Sequence, residues 1–210
     1  MTTWVENPQG GRQRGVRGLT RAWIEVLVRP RRFFRNGVAP GDQAPGLIFA
    51  VSVALVHVAT RFALVPASRP TFFASGAASV AVGLLVVGLV IAPVTLHLVA
   101  ALEVILLMAL VRNRAGVSET VQVLAYATAP MALAGVGVPP GLSESSTLSA
   151  AVAVWQLLLA AWGSGLLAYG IATVHETSLV RAGVAVALPA VLVFGYLYGG
   201  AAAVEMLAAI

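Results

Sequence analysis

Beyond residue 45 the chain is apolar with short polar interruptions, a pattern that predicts five membrane-spanning helices. A span needs roughly 20 mostly apolar residues. Five stretches reach that length: 46–66, 76–111, 119–138, 147–174 and 182–204. The connections PASRPTFFAS, RNRAGVS, PPGLSESS and HETSLVR supply the proline, glycine and serine that end helices. The expected fold class is all-α, a polytopic membrane bundle of five helices preceded by an interfacial amphipathic helix.

The second stretch is longer than the others. As one helix its residues would extend ~54 Å, against about 30 Å of hydrocarbon. It reads either as one long helix, bent near Pro93, or as two short spans. Charge separates these options. With five spans and a cytoplasmic amino terminus, the eight arginines of the first 35 residues share one side with Arg112, Arg114 and Arg181, and only Arg69 falls opposite. A sixth span would move those three across. The excess of basic residues on cytoplasmic loops therefore favours five. The expected location is the cell membrane, multi-pass, with the carboxyl terminus outside.

Before the spans, residues 1–17 read as a disordered basic leader and 18–45 as a cytoplasmic interfacial helix and linker. In GLTRAWIEVLV, Leu19, Trp23, Val26 and Leu27 share one helical face, with Arg21 and Glu25 pointing away. Pro30 ends or bends this segment. Trp23, Phe33 and Phe34 suit the boundary between headgroups and acyl chains. Arg29, Arg31, Arg32 and Arg35 suit anionic headgroups, each contributing about 1 kcal/mol near such a surface. Together these residues form the expected membrane-interface anchor.

Composition supports a membrane protein. The 210 residues are 59% hydrophobic and 10% charged, with mean hydropathy +0.92; soluble domains carry about 25% charged residues. The basic residues are all arginine and cluster at the start of the chain, so nucleic acid is not an expected partner. No cysteine is present, which excludes disulfides, thiolate metal sites and cysteine nucleophiles.

Ionisable groups inside lipid are candidate sites because they are costly there. His57, Arg61, His97 and Glu103 lie within the first two spans. Rise counted from the cytoplasmic ends puts His57 and Glu103 at ~15 and ~12 Å, and Arg61 and His97 near ~21 Å. Antiparallel packing of the two helices predicts one polar cluster, either a packing clamp or a proton or ion path. Haem between His57 and His97 is disfavoured by their ~6 Å difference in depth. His175-Glu176 lacks a second metal-ligand motif, and the serine of GSG lacks a nucleophile-elbow context. No catalytic residue, metal site or cofactor is expected. Gly83, Gly88, Gly163, Gly165 and the Gly195/Gly199 pair suit close helix approach in lipid.

Three stretches carry a family likeness: RPRRFF with Pro30, LAYATAP with Tyr126 and Pro130, and VHETSLVRAGVAVALP with His175, Arg181 and Pro189. In that order, across five spans, the chain resembles the Yip family of Ypt-interacting five-pass membrane proteins, in its prokaryotic form. The resemblance implies a non-enzymatic protein. Eukaryotic relatives are associated with trafficking, small GTPases and membrane shaping, but the short leader here has no evident GTPase-binding motif. The expected role is organising membrane or membrane proteins through helix and lipid contacts. The expected partners are the lipid bilayer, with its anionic headgroups, and a membrane-protein partner or a homo-oligomer. The alternative is a small transporter or channel subunit using the His/Arg/Glu cluster.

Overall fold

The computed structural model describes residues 3–7, 11–112, 114–137 and 146–208. Two short strands, β1 (Thr3–Asn7) and β2 (Gly11–Arg14), pair antiparallel with Asn7 opposite Gly11. They lie within the leader expected to be disordered. The described chain that follows forms helices joined by turns and short irregular links. Helices α1 (Gly15–Val28) and α2 (Pro30–Asn36) meet at Pro30, which opens α2; the missing N–H of proline costs nothing at a first helical position.

Four helices among the described residues are long and apolar enough to cross a membrane. They are α3 (Ala44–Leu64), the continuous helix Gly76–Leu110, α7 (Ser146–Val174) and the helix Leu179–Leu197. The second comprises α4 (Gly76–Val86), a π turn over Val87–Ile91, and α5 (Ala92–Leu110). It is therefore one helix. The wider π turn stands directly before Pro93, whose ring would clash with the carbonyl of Leu89 in a regular α-helix. The fourth joins α8 (Leu179–Ala190), with Pro189 inside it, to a second π turn over Val191–Leu197. Gly199, at φ +86°, then breaks the chain direction before α9 (Gly200–Ala208). The left-handed conformation is nearly free for glycine and strained for other residues.

The third expected span, 119–138, is not one long helix. It consists of α6 (Val117–Ala127) and a 3₁₀ turn over Ala129–Leu133, and its last residue lies outside the described residues. Every residue from Thr120 to Met131 is buried. The segment keeps the direction of α3: Gly46 packs on Gln122, His57 bonds the carbonyl of Met131, and Gly137 meets Val65. The α4–α5 helix runs against α3, with Gly83 near Phe62, Gly88 near Leu55 and His97 beside Gln43. Helix α7 returns beside α6, and α8 runs back along it, with Gly163 under the ring of Phe194. Outward faces carry large apolar residues, among them Leu89, Leu98, Ile105 and Val184.

The core is centred on Tyr126. Its ring stands edge-on to Phe33 at 4.7 Å and Phe49 at 5.0 Å, and Phe33 in turn meets Phe34. Ring centroids at this spacing, edge to face, match the favourable geometry of aromatic quadrupoles. Gly170 leaves the space that the Phe34 ring fills.

Candidate functional site: a cavity beside an interrupted helix

An irregular backbone inside an apolar bundle must have its polar groups satisfied by protein, since lipid offers none. The stretch 129–136 meets this demand with side chains from three helices. Trp23 of α1 donates its indole N–H to Ala129 O at 2.8 Å. His57 of α3 lies 3.1 Å from Met131 O through Nδ1. From α7, Trp155 donates to Leu133 O at 3.1 Å and Gln156 to Val136 O at 2.9 Å. One stretch of chain is thus held by α1, α3 and α7 together. A second clamp holds the linker after α2: Gln122 accepts from Ala39 N–H and donates to Ala39 O, while Ser118 Oγ accepts from Gly41 N–H.

Beside this segment lies a cavity of about 250 Å³. His57, Thr95, Thr128 and Tyr198 are its polar lining, and alanine, valine, leucine and isoleucine form the remainder. Both π turns line it, through Val87 and Ile91 on one side and Val193 and Leu197 on the other. The His57 ring is 6% exposed and stands edge-on to Tyr198 at 5.0 Å.

The four ionisable residues of the expected cluster do not come together. His57 faces the cavity. Arg61 is exposed. His97 is also exposed, with Nδ1 on Pro93 O and Nε2 3.3 Å from Gln43 Oε1. That pairing sets His97 level with the start of α3, about 21 Å of helix rise from His57. Glu103 is fully buried, and neither of its oxygens has a hydrogen-bond partner among the described residues. Since Leu55 faces Gly88 and Glu103 lies six residues beyond His97, Glu103 sits roughly 25–30 Å along the helix from the level of His57. The reason is length: the α4–α5 helix runs well past the start of α3, so depth counted from its end is offset. With the cluster dispersed, the transporter reading loses its premise.

The amino-terminal residues divide by side-chain type. Arg29, Arg31, Arg32 and Arg35 are exposed. Phe33 and Phe34 are buried at 1% and 2% exposure, packed in the protein and turned away from its surroundings. Trp23 is spent on Ala129. Gly18, Ala22 and Val26 form the buried stripe of α1, with Leu19, Trp23 and Leu27 partly buried beside it. The face expected to sink into lipid therefore points into the bundle. The outward apolar residues of α1 are Val16, Ile24 and Val28, and Arg21 pairs with Glu25 at 3.1 Å.

The motif residues have structural work to do. Tyr126, Pro130 and Pro189 are buried, and Arg181 is exposed. His175, 1% exposed, accepts from Ala115 N–H at 3.1 Å through Nδ1, and its Nε2 lies 3.1 Å from Thr120 Oγ1. It ties the end of α7 to the start of α6. Burial lowers its pKa below the usual 6.5; Glu119 opposes this and Arg114 adds to it. Reasoning restricted to ionisable groups overlooked Gln122, Thr128, Gln156 and Tyr198. Uncharged polar residues within apolar stretches were the available signal.

No curated protein and no solved structure matches the chain. A family model, the Yip1 domain, matches residues 24–201, which takes in α2 through the start of α9 and the whole cavity. Together with the long apolar helices this fits a membrane protein of a generally non-enzymatic family. The chain belongs to the Yip family.

Proposed function

We propose that the protein is a non-catalytic, five-pass component of the cell membrane that organises lipid and membrane proteins, with its amino terminus in the cytoplasm and its carboxyl terminus outside. Four long apolar helices and a fifth, buried crossing along α3 support the pass number. The skew of arginine to one set of loops supports the orientation. The observation that carries the organising role is the exposed row Arg29, Arg31, Arg32 and Arg35. It is locked to the bundle because Phe33 and Phe34, between the arginines, are buried. A basic platform fixed to the membrane domain gathers anionic headgroups around it, at about 1 kcal/mol for each basic group near the surface.

The test uses the protein in lipid nanodiscs with fluorescent anionic or zwitterionic lipid as acceptor for tryptophan emission. Anionic lipid should be enriched around the protein, and changing the four arginines to glutamine should remove the enrichment. Equal transfer to both lipids around the unmodified protein refutes the platform. Tags at the two termini should be accessible from opposite sides; tags on the same side refute five passes.

A further inference from the structure

The cavity beside the interrupted segment carries a second, independent reading. We propose that it is a binding site for a long-chain alcohol taken from the bilayer, with the hydroxyl donating to His57 Nε2 and the chain filling the space between the two π turns.

The polarity of the site follows from where its hydrogens go. A carbonyl only accepts, so the His57 proton sits on Nδ1 and is given to Met131 O. Nε2 is therefore a lone pair, and no other group among the described residues bonds it. The Thr95 hydroxyl donates to Ile91 O at 2.6 Å, and that of Thr128 to Ala125 O at 2.7 Å. The hydrogens of His57, Thr95 and Thr128 are thus engaged within the protein, and His57 Nε2 is left as an acceptor at the cavity wall. A ligand O–H matches Nε2, whereas an ether or ester oxygen there would set lone pair against lone pair.

The walls define the remainder of the ligand. The volume is several times the ~30 Å³ share of a water molecule, but a water needs two to four polar partners. Ten of the fourteen lining residues are alanine, valine, leucine or isoleucine, so an apolar body is the matching occupant. Ile91 and Leu197, one from each π turn, are 45% and 47% exposed, so the cavity wall reaches the outward apolar face of the bundle. π turns recur at functional sites because the extra residue re-aims the helix wall; here two of them flank one cavity. The proposal stands on these features and not on the arginine platform.

The experiment is photolabelling of the full chain in nanodiscs. One probe is a saturated primary alcohol bearing a diazirine, and the other is its methyl ether. Saturable labelling by the alcohol should map to the neighbourhoods of residues 50–58, 91–96 and 193–198, with the ether about tenfold weaker. His57→Phe should abolish the preference for the alcohol. Because that change also removes the Met131 contact, Ala54→Leu serves as a second variant: it narrows the cavity, leaves His57 in place, and should abolish labelling. Equal labelling by alcohol and ether overturns the proposal. So does unsaturable labelling spread over outward faces, or undiminished labelling of Ala54→Leu.

Discussion

His175 offers a stability test in which the direction of the pH effect is fixed by geometry. It follows the last residue of α7, and its ring is held from both sides. The Ala115 N–H points at Nδ1, so that nitrogen is the acceptor and the proton resides on Nε2, facing Thr120. Thr120 passes its own hydrogen to Gly116 O at 3.3 Å. Protonating Nδ1 would set two N–H groups against each other, and burial already opposes the charge. The folded pKa is therefore lowered, while the unfolded chain takes its proton near 6.5. Between these values the unfolded state binds more protons, so stability rises with pH. The contribution of the neutral ring is complete above about pH 6.5 and is lost as pH falls toward the folded pKa, by at most ~1.4 kcal/mol per pH unit. At neutral pH, His175→Ala removes two hydrogen bonds of about 1 kcal/mol each and leaves the Ala115 donor without its acceptor, for a total of ~2–4 kcal/mol. Thermal unfolding in detergent, followed by circular dichroism from about pH 8 down to pH 5, measures both effects. Every other ionisable group is common to the two proteins, so the informative quantity is the difference between wild type and His175→Gln, which should shrink as the pH drops. A difference that stays constant, or an alanine variant as stable as wild type at pH 8, refutes the reasoning.

Other substitutions probe the packing. Gln156→Leu keeps the shape of the side chain but removes the donor to Val136 O, and should cost ~1–3 kcal/mol in the same unfolding assay. Gly170→Ala puts a methyl group within 2.6 Å of Val123 Cγ1 and 2.9 Å of the Phe34 ring, an overpacking worth about 1–3 kcal/mol. Gly165→Ala, with nothing within 4 Å of the new methyl, should leave the unfolding temperature unchanged or slightly raised. Phe33→Ala empties the ring's place against Tyr126 and Phe34 and should cost ~3–5 kcal/mol; a loss below 1 kcal/mol would mean that Phe33 lies outside the core.

The helices legible in the sequence were those where length and composition suffice. Ala44–Leu64, Gly76–Leu110, Ser146–Val174 and the stretch after Arg181 are long, predominantly apolar runs, and any such run must satisfy its backbone as a helix in lipid. The RPRRFF, LAYATAP and VHETSLVR stretches likewise carry the family likeness in the sequence alone.

Which apolar surface meets protein and which meets lipid was settled only by tertiary packing. Lipid tails are as apolar as leucine, so hydrophobicity does not distinguish the two environments. Hence Phe33, Phe34 and one face of α1 turned inward, although their pattern suits an interface equally well. The interrupted segment at Ala129–Leu133 holds because Trp23, His57, Trp155 and Gln156 converge on it from distant parts of the chain. The polar cluster dissolved because a helix of 35 residues exceeds the bilayer thickness, and its axial position depends on its neighbours. Composition made this chain a membrane protein; long-range contacts between helices set the depth and facing of each residue.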